Sequence, residues 1–527
     1  MNLSKSRYTA YCQCPKNLWY RVYHPEFAAE VDPAAQARFE TGSAVGELAK
    51  RLFPGTVDVT TRNADGSLDL SAMIEKTRRL MDNSSDSHQF VPQGNSLDSQ
   101  NSPLCIAEAA FTHDGCYCAV DLLRREGDGW ALYEVKSTGT KGDDGKQEKF
   151  DKYLPDIAYQ TWVLQQCGVN VVGVNLVCLN SDYVRHGNLD LLQLFAVVDM
   201  REAIQNELDK VPMQVPAALK VLSAEHEPEA ALSEHCNKPY TCPFMECCMK
   251  EAGIPQDCQT VFDLYRMNFA HKLKHFRAGR VTLEDMRSES LSPTQRLQIE
   301  CTLGDKENIN ADGIRRFLDG LCYPLYFLDF ETMQDAVPQY DGTRPYQQVP
   351  FQYSLHIKRD AAAPYEHREY LAPSDGSDPR RALAEQLCRD IPRGVCTLAY
   401  NMSFERGRLK ELADACPDLA GHLMDIHSRM QDLLVPFREG NYYVPAMNGS
   451  FSIKSVLPAL FPNDPKLDYH NLAGNVKNGG EAMTIFPKIK DMSPADAADA
   501  RESLLRYCEL DTWAMVKVWE KLREKIE

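Results

Sequence analysis

Two stretches of the chain carry apolar residues at strand spacing, and each is accompanied by helical patterning. In the first half, runs at 104–112, 115–124 and 130–137 read as successive strands. A helix is expected around 150–168 and a further strand around 170–180. Residues 1–80 have mainly helical spacing, and the polar stretch 82–104, rich in Ser and Asn, reads as a long loop. From 258 to 320 the pattern is helical and charged, with Pro293 interrupting it. The second strand-bearing stretch begins near Cys322, and residues 325–331 form an apolar run that ends in two carboxylates. Residues 359–381 read as a surface excursion and 502–522 as a helix. No internal repeat is seen. The expected class is α/β in three parts: 1–257, a helical connector at 258–320, and 321–527.

Composition narrows this modestly. At 527 residues the length suits two or three domains, and 43% hydrophobic with 25% charged residues describes an ordinary soluble protein. No run of about 18 apolar residues is present, so no membrane span is expected. The N-terminus lacks the apolar core of a signal peptide. A cytoplasmic location is therefore expected, with most of the 18 cysteines reduced. A net charge of −17 argues against a surface that coats nucleic acid, although a local basic track would suffice for binding. Candidates for such a track are Lys136, Lys141, Lys146, Lys149 and Lys152, and the stretch His271–Arg277; each also reads as a plain solvated face.

The strongest chemical signal lies in the second stretch. Asp329 and Glu331 sit two residues apart in a strand and therefore share a face. Tyr400-Asn401-Met402-Ser403-Phe404-Glu405 and Tyr507-Cys508-Glu509-Leu510-Asp511 follow. In a helix Tyr507 and Asp511 stand at i, i+4 on one face. Four carboxylates brought together need cations, and an oxygen-only set suits Mg²⁺ or Mn²⁺. Two such ions about 4 Å apart can clamp an in-line attack on a phosphodiester. The order Asp-x-Glu, Asn-x-x-Phe-acid, Tyr-x-x-x-Asp resembles the three motifs of the DnaQ-like (DEDDy) 3′–5′ exonucleases. That resemblance implies an RNase H-like fold, metal ligation by Asp329, Glu331, Glu405 and Asp511, and a water-positioning role for Tyr507. Position 405 is Glu where that family usually has Asp.

A second constellation lies in the first stretch: Asp121, then Glu134 and Lys136 alternating on one strand. It resembles the PD-(D/E)XK pattern of RecB-like nucleases, which implies a restriction-endonuclease-like core, metal binding by Asp121 and Glu134, and a lysine near the attacking water. Gln160 matches the start of that family's Gln-x-x-x-Tyr motif, whose last position here is Leu164. Gly42–Glu47 resembles its Gly-x-x-x-His-Glu motif, with Gly46 in place of the metal-binding histidine. Glu108 is a further candidate. Cys14 far upstream and Cys236, Cys242 and Cys248 downstream resemble the cysteine clamp of the iron–sulfur members, the CRISPR-adaptation RecB-like proteins and the AddB-type helicase-nucleases. This implies a [4Fe–4S] cluster; a zinc site and unligated thiols are the alternatives, and Cys12 and Cys247 are alternative ligands.

The two-domain order is similar to an uncharacterised bacterial family that joins an iron–sulfur RecB-like domain to a DnaQ-like domain. Arg344 and Tyr346 are candidates for terminal-nucleotide contacts, and Lys454 for a phosphate contact or a plain helix start. His356, Asp425, His427 and Asp432 lie beside the motifs and read as structural or surface residues. No P-loop is present, so no ATPase is expected. The expectation is a metal-dependent nuclease acting on DNA, with RNA open. Two other readings stand beside it: a first domain that only grips nucleic acid, and a partner-dependent subunit of a repair or defence complex.

Overall fold

Backbone pairing gathers the apolar runs of the first half into one seven-stranded mixed sheet. The computed structural model describes residues 2–30, 33–85, 103–142 and 150–527. These divide into two compact units, one holding the chain up to Gly253 plus Asp335–Tyr346, the other Ile254–Gln334 plus Gln347–Glu527.

In the first unit the strands are β1 (Leu3–Ser4), β2 (Val57–Asp58), β3 (Cys105–His113), β4 (Cys116–Glu126), β5 (Gly129–Gly139), β6 (Val171–Leu179) and β7 (Phe195–Asp199). Their order is β2-β3-β4-β5-β6-β7, with β1 parallel to the start of β4. The β3–β4–β5 meander is antiparallel, and β5 then pairs β6 in parallel across helix Leu154–Gln166. That crossover helix packs Ile157, Val163 and Leu164 against Trp130, Leu132, Val174 and Leu176. β5 is thus covered by neighbours on both edges and by a helix, which is why Glu134 in its middle is fully buried. The central part of the expected loop, 86–102, lies outside the described residues.

In the second unit β8 (Asn308–Ile309) forms a small ladder with β14 (Tyr442–Tyr443). The main sheet contains β9 (Leu325–Gln334), β10 (Gln348–Lys358), β11 (Tyr365–Leu371), β12 (Cys396–Ala399) and β13 (Met430–Asp432), in the order β11-β10-β9-β12-β13. β9–β10–β11 are antiparallel, while β12 runs parallel to both β9 and β13. One face, carrying Tyr326, Leu328, Tyr353 and Leu355, packs on helices Arg380–Asp390, Ser403–Ala415 and Ala420–Arg429. The other face is crossed by the C-terminal helix Pro494–Glu524, whose Met515, Val516 and Trp519 meet Leu325, Phe327 and Leu398.

Both units are mixed α/β, and several details differ from the expectation. Residues 258–320 belong to the second unit, and Asp335–Tyr346 belongs to the first. Pro293 opens helix Pro293–Gly304 at its first position, where a missing N–H costs nothing, behind a Ser292 cap. Tyr365–Leu371, inside the expected excursion, is the edge strand β11; its charged residues suit a strand with one free edge and disguise it in the sequence. Among the described residues no helix is long and apolar enough to cross a membrane.

Candidate active sites

In the second unit, strand period brings Asp329 and Glu331 to the face beneath the C-terminal helix. Glu405 enters from the first turn of helix Ser403–Ala415, and Asp511 from the C-terminal helix itself. One ligand atom each from Asp329, Glu331 and Cys508 lie within 4.8 Å of one another. Glu331, Glu405 and Asp511 are 7%, 3% and 8% exposed. Burial, and then repulsion from Asp511, holds both Asp329 and Glu331 well above the usual carboxylate range. Burial raises Glu405 to about 8 and Asp511 to about 6. Glu405 Oε2 is buried with no hydrogen-bond partner. Desolvated like charges of this kind are costly unless a cation joins them, so the donor set fits divalent ions bound through oxygen.

Tyr507 is buried beside Asp511, one turn away on the same helix, and burial raises its hydroxyl pKa. Tyr469 donates to Asp511 Oδ1 at 2.6 Å. Lys454, near the start of helix Ile453–Leu460, places Nζ 5.6 Å from the ring centroids of both tyrosines. Its charge opposes the upward shifts of Glu331 and Asp511.

The residues read as structural have ordinary partners. Asp432 accepts from the Asn401 and Leu434 amides, Asp425 from the Gly394 amide, and the His427 carbonyl from Arg406. Arg344 and Tyr346 fall in the first unit, where the Tyr346 hydroxyl donates to the Ser137 carbonyl.

In the first unit Asp121, Glu134 and Lys136 line a pocket of about 390 Å³ together with Lys5, Gly46 and Glu108. Lys136 Nζ donates to Glu134 Oε1 at 2.6 Å and to Asp156 Oδ2 at 2.8 Å. Asp156 and Gln160 stand at i, i+4 on helix Leu154–Gln166, and Gln160 Nε2 donates to Glu134 Oε2 at 2.7 Å. Burial works against an ionised Glu134, but Lys136 and Lys5 together hold it well below the usual range. Asp121 is raised by burial and by Glu134, and Glu108 is pushed to about 7 by burial, then by Asp121. A Cβ built at Gly46 meets nothing within 4 Å, so the position is open space at the pocket edge.

Lys5 was not anticipated. Its Nζ lies 3.3 Å from Asp121 Oδ1 and 3.1 Å from Glu134 Oε1, bridging the two carboxylates. No local signal marks it, because its partners are more than a hundred residues away. Asp156 and Tyr469 were also missed; the i, i+4 relation of Asp156 to Gln160 was readable.

Cys14 caps the start of helix Pro15–Tyr23, and the Cys242 amide bonds to the Cys236 carbonyl at 2.8 Å. Cys14 and Cys236 raise the Cys242 thiol after burial does, and Cys248, raised by burial to about 12, also feels Cys242 and Cys236. Cys14, Cys236, Cys242 and Cys248 are therefore neighbours, residues of the kind that iron–sulfur clusters and zinc take as ligands, but no three of their sulfurs lie within 4.8 Å of one another. Cys12 turns instead toward Gln214, and Cys247 toward Glu251. Of the basic candidates, Lys141 pairs with Asp182 and Lys272 donates to the Phe262 carbonyl. Lys146 and Lys149 lie outside the described residues.

Comparison with known proteins adds a family for part of the chain. Residues 326–452 match a domain of unknown function (DUF2779). That span contains Asp329, Glu331 and Glu405 and stops short of Tyr507 and Asp511. The chain is also 26% identical over 226 residues to "Uncharacterized protein UU173" of Ureaplasma parvum serovar 3 (strain ATCC 700970). The match covers 38% of this chain and 31% of that protein.

Proposed function

We propose that the chain is a metal-dependent nuclease whose second unit is a DnaQ-like, RNase H-fold exonuclease that removes nucleotides from a 3′ end. The observation that carries this is the convergence of half-buried Asp329 with buried Glu331, Glu405 and Asp511, carboxylates from one strand and two helices that cannot all ionise without added positive charge. When bound there, Mg²⁺ or Mn²⁺ would supply that charge and polarise the scissile phosphate. The chain's own residues do the rest. Tyr507, one turn from Asp511 on the same helix, holds the attacking water, and Tyr469 fixes the Asp511 carboxylate by donating to its Oδ1 at 2.6 Å. Lys454 supplies a positive charge to the substrate phosphate. DNA is the proposed substrate, with RNA the alternative.

In the first unit the proposed site is a RecB-like PD-(D/E)XK nuclease centre, with Asp121 and Glu134 as metal ligands and Lys136 and Gln160 orienting them. Cys14, Cys236, Cys242 and Cys248 are the proposed ligands of a [4Fe–4S] cluster, with zinc the alternative. A second reading, in which this unit grips nucleic acid without cutting it, is favoured by Lys5: its ammonium occupies the space between the two carboxylates.

The test is a nuclease assay on end-labelled single-stranded DNA and RNA with Mg²⁺ or Mn²⁺, using protein purified without air. Laddering from the 3′ end that disappears in Asp329→Ala and persists in Glu134→Ala supports the exonuclease and the gripping first unit. Loss in Glu134→Ala alone reverses the roles. No cleavage by the wild type refutes a standalone enzyme.

A further inference from the structure

On the same face of the second unit's sheet, two histidines and a glutamate, none of them one of the four carboxylates, converge. His356 of β10 and His367 of β11 are directly paired across the antiparallel ladder, with ring centroids 4.6 Å apart. Glu509 of the C-terminal helix brings Oε1 to 3.8 Å from His367 Nδ1. One donor atom from each of the three lies within 4.8 Å of the others. His356 is buried, His367 half-buried and Glu509 exposed, so the set runs from the sheet to solvent. It opens into a cleft of about 510 Å³, also lined by Tyr365, Arg506 and Trp513.

The hydrogen bonds behind the histidines assign their lone pairs. Thr512 Oγ1 donates to the Glu509 carbonyl at 3.1 Å, so its oxygen is the acceptor for His356 Nδ1 at 2.8 Å. Ser354 Oγ lies 2.7 Å from Thr512 Oγ1 and 3.0 Å from His367 Nε2. With Ser354 donating onward to Thr512, it accepts from His367 Nε2–H. Each ring then spends one N–H on a hydroxyl and keeps the lone pair of its other nitrogen, Nε2 of His356 and Nδ1 of His367. This is how metal-binding histidines are oriented: the outer nitrogen is tied to a fixed acceptor, which sets tautomer and ring angle. Two imidazole nitrogens and one carboxylate, with a fourth position toward solvent, are the donor set of an open Zn²⁺ site. The set is poor for Mg²⁺, which prefers oxygen.

We propose that His356, His367 and Glu509 form a binding site for Zn²⁺ or a similar divalent transition ion, clamping β10 and β11 to the C-terminal helix. Arg506, the cation in the same cleft, pairs with Glu502 on its own helix and leaves Glu509 available. The proposal does not depend on the nuclease reading.

The test measures Zn²⁺ bound to the full chain, purified without air and held in excess Mg²⁺ so that Mg²⁺ occupies oxygen-only sites. Bound zinc is counted after gel filtration, and Co²⁺-loaded samples are compared by visible ligand-field spectrum. His367→Ala is expected to lose one Zn²⁺ per chain and the tetrahedral Co²⁺ bands of nitrogen ligation. Glu509→Gln, on an exposed side chain, should weaken that ion at least about tenfold, and Ser354→Ala about 10–100-fold through loss of ring orientation. If His367→Ala fails to fold, Glu509→Gln decides. Unchanged zinc affinity and stoichiometry in the folded variants would overturn the site.

Discussion

Replacing Glu405 by Gln should stabilise the metal-free protein at alkaline pH and have little benefit in acid. Glu405 is buried, and burial lifts its carboxyl from an ordinary 4.5 to about 8. In the unfolded chain the group ionises near 4.5, whereas in the folded chain it keeps its proton until about pH 8. Between these values the folded state binds the extra proton, so stability falls as pH rises and the full penalty is reached above pH 8. At about 1.4 kcal/mol per pH unit the displacement is worth on the order of 5 kcal/mol. The substitution removes the charge but places an amide where Oε2 has no partner, which costs about 1–3 kcal/mol. The net gain near pH 8.5 is therefore roughly 2–4 kcal/mol, or on the order of 5–10 °C in the melting temperature of a unit this large. Calorimetry of wild type and Glu405→Gln in chelator at pH 5 and pH 8.5 reads this directly from the second unit's transition. Mn²⁺ should then raise the wild-type transition more than the variant's, because a bound ion stabilises by mass action and the variant lacks one ligand. A variant less stable than wild type at pH 8.5, or a difference independent of pH, would refute the account of buried like charges.

Other expectations follow from the first unit. Lys5→Met removes the cation shared by Asp121 and Glu134; Glu134 keeps Lys136 and Gln160 and Asp121 keeps the Val135 amide, so without metal it should cost about 1–3 kcal/mol, and in Mg²⁺ melting experiments most of that loss should be recovered. Gly46→His puts an imidazole into open space beside the pocket and should tighten Mn²⁺ binding about tenfold by titration calorimetry; no change would mean that the side chain points away. Cys242→Ser should abolish the visible absorption of anaerobically purified protein, whereas Cys247→Ser, facing Glu251, should leave it intact.

What the sequence determined by itself is what local periodicity can carry. The two-residue spacing of Asp329 and Glu331, and of Glu134 and Lys136, places each pair on one strand face wherever that strand packs. The four-residue spacing of Tyr507 and Asp511 does the same on a helix. Apolar runs dense enough to be strands were readable for β3, β4, β5, β6 and β9, because each buries most of at least one face. The charged edge strand β11 was not, since a half-exposed edge has no such demand. Periodicity fixes a side chain's direction relative to its own element and says nothing about which element it will meet. Only tertiary packing brought Lys5 between Asp121 and Glu134, set Tyr469 against Asp511, and paired His356 with His367. The same holds for Asp335–Tyr346, which leaves the second unit's sheet to join the first unit. Those outcomes depend on strand register and helix docking, which are decided by the burial of the whole chain.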